Sequence, residues 1–171
     1  KFLPPTKKPL RRGDLIFMDA GCVHRGYWNE YNRMGVVGTP DGRALENHRI
    51  VREVVDRTVA AMKPGVRVSD VLKETVAAYR DLGVPDEKRS VYERAPYAPI
   101  GHGVGLNGSE RPFLQMDNDE PLEAGMYFSV EAYLTDREKF GDEQTVIITE
   151  GGPDVISTAS RELYVIKTRG D

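Results

Sequence analysis

The stretch Gly101–His102–Gly103–Val104–Gly105–Leu106 decides how the rest of this chain is read. Three glycines around one histidine let another group come close to His102, because none of them carries a Cβ. We read it as a tight glycine turn presenting a histidine. Downstream, Gly125–Met126–Tyr127–Phe128–Ser129–Val130–Glu131 runs through apolar residues onto a carboxylate. A carboxylate in a buried strand is costly unless something pairs with it. His102 and Glu131 are therefore candidate ligands for one cation, and the remaining chain has to supply their company.

Upstream, the turn Gly13–Asp14 leads into Leu15–Ile16–Phe17–Met18–Asp19, an apolar run of strand length ending on a carboxylate. Gly26–Tyr27–Trp28–Asn29–Glu30–Tyr31–Asn32–Arg33 suits a second strand returning as a hairpin, which turns Asp19 and Glu30 toward one spot. Tyr27 and Trp28 are expected in the core, and Arg33 is expected to pin the hairpin through a carboxylate. Val51, Val54, Val55, Thr58, Val59 and Met62 then follow helical spacing and predict a helix from Leu45 to the stop Lys63–Pro64–Gly65. Leu72, Val76, Tyr79 and Leu82 predict a second helix, with Ser69 as its N-cap and Gly83 and Pro85 as its stop. His48 falls on the first helix's inner face and reads as a packed histidine. Residues 86–99 read as a loop, and strands are expected at 126–134, 144–149 and 162–167. A hairpin, a helix pair and then several strands make an α+β pattern.

With 171 residues, 39% hydrophobic and 30% charged, the chain is expected to be one domain spanning 1–171, neither disordered nor membrane-spanning. A net charge of -3 gives no general attraction to nucleic acid or to anionic lipid. The single cysteine, Cys22, excludes an internal disulfide. No apolar run approaches the ~20 residues that cross a bilayer, so a soluble cytoplasmic protein is the default expectation.

Asp19, Glu30, His102, Glu131 and Glu143 collect into a set of four carboxylates and one imidazole. Oxygen-rich donors of this kind suit a pair of divalent cations such as Mn²⁺, Co²⁺, Fe²⁺ or Zn²⁺. Without a cation, their mutual repulsion would force protonation or open the site.

These residues, with Glu110–Arg111–Pro112, Thr145–Val146 and Thr149–Glu150–Gly151, resemble the pita-bread metallopeptidases. Within them the chain is closer to prolidase, aminopeptidase P and creatinase than to methionine aminopeptidase. The resemblance implies a curved, mostly antiparallel sheet with a hairpin and a helix pair, the C-terminal part of a catalytic domain. It implies two metal ions held by Asp19, Glu30, His102, Glu131 and Glu143, and metal-activated hydroxide attacking a peptide or amide carbonyl. Glu131 and His102 are then catalytic, with Glu131 carrying a proton to the departing amine. Ser109, Glu110 and Arg111 fall at substrate-binding positions. A small peptide substrate and a homodimer of the full-length protein are expected.

Four departures accompany the resemblance. Glu30 stands where the family has an aspartate, and Ser109 where it has a second, substrate-contacting histidine. Around Glu143 the motif is shortened, so Asp142 is an alternative ligand. A helix pair of the whole domain is missing, which makes a fragment of a longer chain the expected form. Two rivals follow: a creatinase-like amidinohydrolase working on an amidine without metal, and a pita-bread binding protein that has lost catalysis.

Overall fold

The computed structural model describes residues 6–89 and 100–168. The hairpin forms from two long strands, β1 (Leu15–His24) and β2 (Tyr27–Val37), antiparallel, with Leu15 opposite Val36 and His24 opposite Tyr27. Strand β1 does not end at Asp19 but runs on past it. Arg25, at φ 51°, and Gly26, at φ 91°, make the reversal in the left-handed region, which glycine enters without steric cost.

Two helices follow. α1 (Gly42–Ala61) starts at an N-cap, Asp41, whose carboxylate accepts the Ala44 N–H at 2.7 Å. α2 (Val68–Asp81) starts after Arg67, not at Ser69; the Ser69 hydroxyl lies in the first turn and donates instead to Asp119 at 2.6 Å. The stripe predicted for α1 is buried, with Val51, Val54 and Val55 all 0% exposed; of that predicted for α2, Leu72 and Tyr79 are buried but Val76 and Leu82 only half-buried, and Val68 and Val71, outside it, are 0% exposed. Each such side chain contributes on the order of 1.5–3 kcal/mol by leaving water. His48 is buried as a packed residue, as its position on the apolar face predicts.

The glycine stretch is not a turn. Gly101–Gly103 is a short strand, β3, in the interior of a five-stranded antiparallel sheet ordered β4-β3-β5-β6-β7. The other strands of that sheet are β4 (Glu110–Phe113), β5 (Tyr127–Asp136), β6 (Glu138–Thr149) and β7 (Gly152–Val155). The glycines are needed because the sheet closes tightly there: a Cβ on Gly101 would collide with the Ser129 carbonyl, and one on Gly103 would lie 2.7 Å from the Arg111 carbonyl oxygen. β6 begins at Glu138, earlier than the expected 144, because Arg137 at φ 66° turns the chain straight back. β7 has no counterpart in the sequence reading, and the last strand shrinks to β8 (Tyr164–Ile166), which pairs parallel with β2 to make a three-stranded sheet β1-β2-β8. Of the predicted 86–99 loop, 86–88 form one 3₁₀ turn, and 90–99 lie outside the described residues.

α1 packs on the backs of β5 and β6, with α2 beside it. The opposite faces of β5 and β6 meet β2, and the seam is stitched by hydrogen bonds. The Thr145 hydroxyl reaches the Glu30 carbonyl at 2.7 Å, and Arg33 Nη1 donates to the Glu143 carbonyl at 2.8 Å. Arg33 pins the hairpin through carbonyls of Asn32, Glu143, Ala159 and Ser160, not through a carboxylate. Tyr27 and Trp28 are 59% and 39% exposed, so neither is core. No helix among the described residues is long and apolar enough to cross a membrane.

Candidate metal centre

The seam between the two sheets gathers the sequence-predicted ligands by strand parity. Side chains alternate across a strand, so Ser129, Glu131 and Tyr133 of β5 share one face. Glu131 pairs with Glu143 and Tyr133 with Gly141 across β5 and β6, while His102 pairs with Ser129 across β3 and β5. On the hairpin, Glu30 stands opposite Gly21 and Asp19 opposite Asn32, which puts Asp19, Glu30 and Asn32 on a common face.

His102 is the meeting point. Its Nε2 lies 3.3 Å from Glu30 Oε1 and 3.6 Å from Glu131 Oε1. Its Nδ1 is 3.1 Å from the carbonyl of Gly103. A carbonyl only accepts, so Nδ1 carries the proton and donates. In the neutral ring, Nε2 then turns a lone pair toward two carboxylate oxygens. That arrangement is repulsive unless a cation lies between them, Nε2 is itself protonated, or a carboxyl keeps its proton and donates it. Glu30 Oε1 is buried and has no hydrogen-bond partner. Burial pushes the Glu30 carboxyl upward in pKa, with His102 pulling it back and Glu131 and Asp19 adding to the rise.

The other end of the cluster is closed. Glu143 accepts from the Ser129 hydroxyl on one oxygen and from Asn32 Nδ2 at 2.9 Å on the other. Burial, then repulsion from Glu131, pushes its carboxyl up to about 8, against the Ser129 hydrogen bond. Tyr133 donates to Glu131 Oε2 at 2.6 Å, and Asn32 Nδ2 reaches the Tyr133 oxygen at 3.3 Å. The phenol is itself held far above its usual range by burial and by the Glu131 charge. Asp19 is exposed, and its charge is felt by Glu30, Glu143 and Tyr133. Asp142 is on the opposite face of β6, paired with Arg161 at 2.6 Å, which removes it as an alternative to Glu143.

As the side chains stand, no group of three or more His, Cys, Asp or Glu among the described residues is arranged to hold a metal ion. Glu30, His102 and Glu131 converge only pairwise on Nε2. The donor types and the partnerless Glu30 oxygen nonetheless fit a divalent cation at that end.

Ser109, Glu110 and Arg111 lie on the rim. Ser109 is exposed on the loop before β4; Glu110 accepts from the Asn107 backbone N–H at 3.1 Å. Glu110 and Arg111 line a cavity of about 430 Å³ with Tyr27, Val104, Leu106 and Tyr127. Tyr133, Asn32 and Ser129 belong to the cluster and are absent from the sequence-predicted set. Parity along β5 from Glu131, and along β2 from Glu30, is the signal that marks them.

The metallopeptidase family M24 model matches residues 2–150. The chain belongs to this family. Among its relatives, the Xaa-Pro dipeptidase of Pyrococcus furiosus is 30% identical over 160 residues, covering 92% of this chain and 44% of the relative. The Xaa-Pro dipeptidase of Lactobacillus helveticus is 28% identical over 174 residues, covering 98% of this chain and 44% of the relative. The crystal structure of an X-Pro aminopeptidase from Thermotoga maritima superposes with a TM-score of 0.83 at 27% identity, over 94% of this chain and 44% of that one. The fold is therefore pita-bread α+β, and the chain spans less than half the length of these M24 relatives.

Proposed function

We infer that this M24 chain carries the site of a metal-dependent hydrolase of the Xaa-Pro dipeptidase or aminopeptidase type. The observation that carries the reading is the orientation of His102: Nδ1 is spent on the Gly103 carbonyl, and Nε2 faces the partnerless Glu30 oxygen and Glu131. Metal-binding histidines characteristically give their second ring N–H to a carbonyl or carboxylate in this way. Glu30, His102 and Glu131 would hold one ion, and a two-ion set would add Asp19 and Glu143. When bound, a divalent cation supplies the positive charge that polarises a substrate carbonyl and makes an attacking water more acidic.

The protein's own groups do the rest. Glu131 accepts the proton of the attacking water and passes it to the departing amine. Tyr133 is a positioning residue: its hydrogen bond to Oε2 keeps Oε1 of Glu131 toward His102. The 430 Å³ cavity beside Gly103 takes the small peptide, with Arg111 offering positive charge to its carboxylate, Glu110 opposing it, and Ser109 on the adjoining loop. The exposed Cys22 thiol fits a reducing cytoplasm. A homodimer goes with the same reading.

A second reading rests on the same pair of distances. If Nε2 is protonated, His102 is an imidazolium paired with Glu30 and Glu131, which is how a metal-free amidinohydrolase would hold its acid. Assay of the protein on Xaa-Pro dipeptides and on amidines, before and after chelation, separates the two. Dipeptide hydrolysis lost on chelation and restored by Mn²⁺ or Co²⁺ supports the metallohydrolase. Amidine turnover that survives chelation supports the rival, and no turnover of either substrate supports an inactive binding protein.

A further inference from the structure

We propose that this chain takes a single divalent cation, at Glu30, His102 and Glu131, because the Tyr133 hydroxyl, with Ser129 and Asn32, fills the place of a second. The proposal rests on the metallohydrolase reading above and departs from the two-ion site that the family resemblance implies.

Glu131 and Glu143 stand directly opposite on neighbouring strands. Like charges so placed repel, and either a cation or a set of hydrogen-bond donors must compensate them. Here the donors are present. Glu143 has the Ser129 hydroxyl on Oε1 and Asn32 Nδ2 on Oε2; Glu131 Oε2 has the Tyr133 hydroxyl. Asn32 also reaches the Tyr133 oxygen at 3.3 Å, so Glu131, Tyr133, Asn32 and Glu143 form a continuous chain. A cation bridging Glu131 and Glu143 would have to displace the phenol and would meet N–H and O–H hydrogens where it needs lone pairs.

The phenol is not free to leave. The Tyr79 hydroxyl clasps the backbone of Tyr133, donating to its carbonyl at 2.9 Å and accepting its N–H at 3.0 Å. The ring lies 6.1 Å from that of Phe17, centroid to centroid, under Lys139 Nζ at 3.6 Å. It occupies space made by Gly141: a Cβ there would sit 2.7 Å from the ring. Tyr133 is only 7% exposed. At the His102 end, by contrast, the buried Glu30 oxygen has no hydrogen-bond donor.

The test loads the metal-free chain with Mn²⁺, counts ions per chain by equilibrium dialysis with elemental analysis, and records the electron paramagnetic resonance spectrum. One ion per chain, with the resolved hyperfine spectrum of an isolated Mn²⁺, is expected for the wild type. Tyr133→Phe, which keeps the ring but removes the hydroxyl, should admit a second ion and broaden the spectrum through magnetic coupling. Two ions in the wild type, or an unchanged count in a folded Tyr133→Phe, overturns the proposal. The wild-type count decides alone should the variant fail to fold. A count of zero overturns the metallohydrolase reading as well, whereas a count of two leaves that reading standing.

Discussion

At one end of the carboxylate cluster Glu30 Oε1 lies buried beside His102 with no hydrogen-bond donor; at the other, both oxygens of Glu143 accept one. The two ends share a residue type and lie in one seam, so charge alone does not distinguish them. What differs is the neighbour on the same strand face. Ser129 and Asn32 donate to Glu143 and Tyr133 donates to Glu131, while Glu30 Oε1 faces an imidazole nitrogen whose partner nitrogen is already committed. A buried carboxylate next to hydroxyls and amides is neutralised by the protein; one next to an imidazole lone pair needs an ion or a proton.

The contrast is broken most directly at His102. His102→Ala should lower apparent Mn²⁺ affinity by about 10³-fold or more, beyond the 10- to 100-fold typical of losing an outer-shell partner; titration calorimetry measures it. Unchanged affinity would mean that the open end is not a metal site. Glu131→Gln removes the proton carrier and should cut turnover of an Xaa-Pro dipeptide by about 10²-fold, read as kcat at saturating substrate.

The closed end is sharpened by pH. With its folded carboxyl near 8 and an unfolded value near 4.5, Glu143 keeps a proton on folding that the unfolded chain gives up. Its stabilising contribution is present below pH 4.5 and is lost as pH rises toward 8, and the upward-shifted Glu30 acts in the same direction. The metal-free chain should therefore be less stable at pH 8 than at pH 5 by about 3 kcal/mol in urea titrations, and Glu143→Gln should flatten the dependence. A chain as stable at pH 8 as at pH 5 would contradict this. The smallest expected effect is at the rim: Ser109→His should raise dipeptide kcat/KM by about 10-fold if a substrate-contacting histidine is what this loop lacks. No change would point to a different substrate.

The helix pair was legible because Val51, Val54, Val55 and Val59 repeat at the helical period and bury what that period says they bury. His102 and Glu131 were legible as polar anomalies in apolar or glycine-rich surroundings. The glycine strand β3 was not, since Gly101 and Gly103 look like a turn until the Ser129 and Arg111 carbonyls that exclude a Cβ are in place. The same holds for Tyr133, whose role depends on its pairing with Gly141 and on Tyr79 from a distant helix. Ser69 misled as a cap because its hydroxyl found Asp119, and Arg33 because carbonyls from three segments served it better than one carboxylate. Each miss is a long-range partner that local pattern does not encode.

On this geometry the buried Glu30 Oε1 and His102 Nε2 share a cation. Anomalous diffraction from crystals grown with Mn²⁺ tests it at the atom. A peak is expected between Glu30, His102 and Glu131, within coordination distance of His102 Nε2. Crystals that show no peak there, with Nε2 still 3.3 Å from Glu30 Oε1 as in an imidazolium pair, would contradict it.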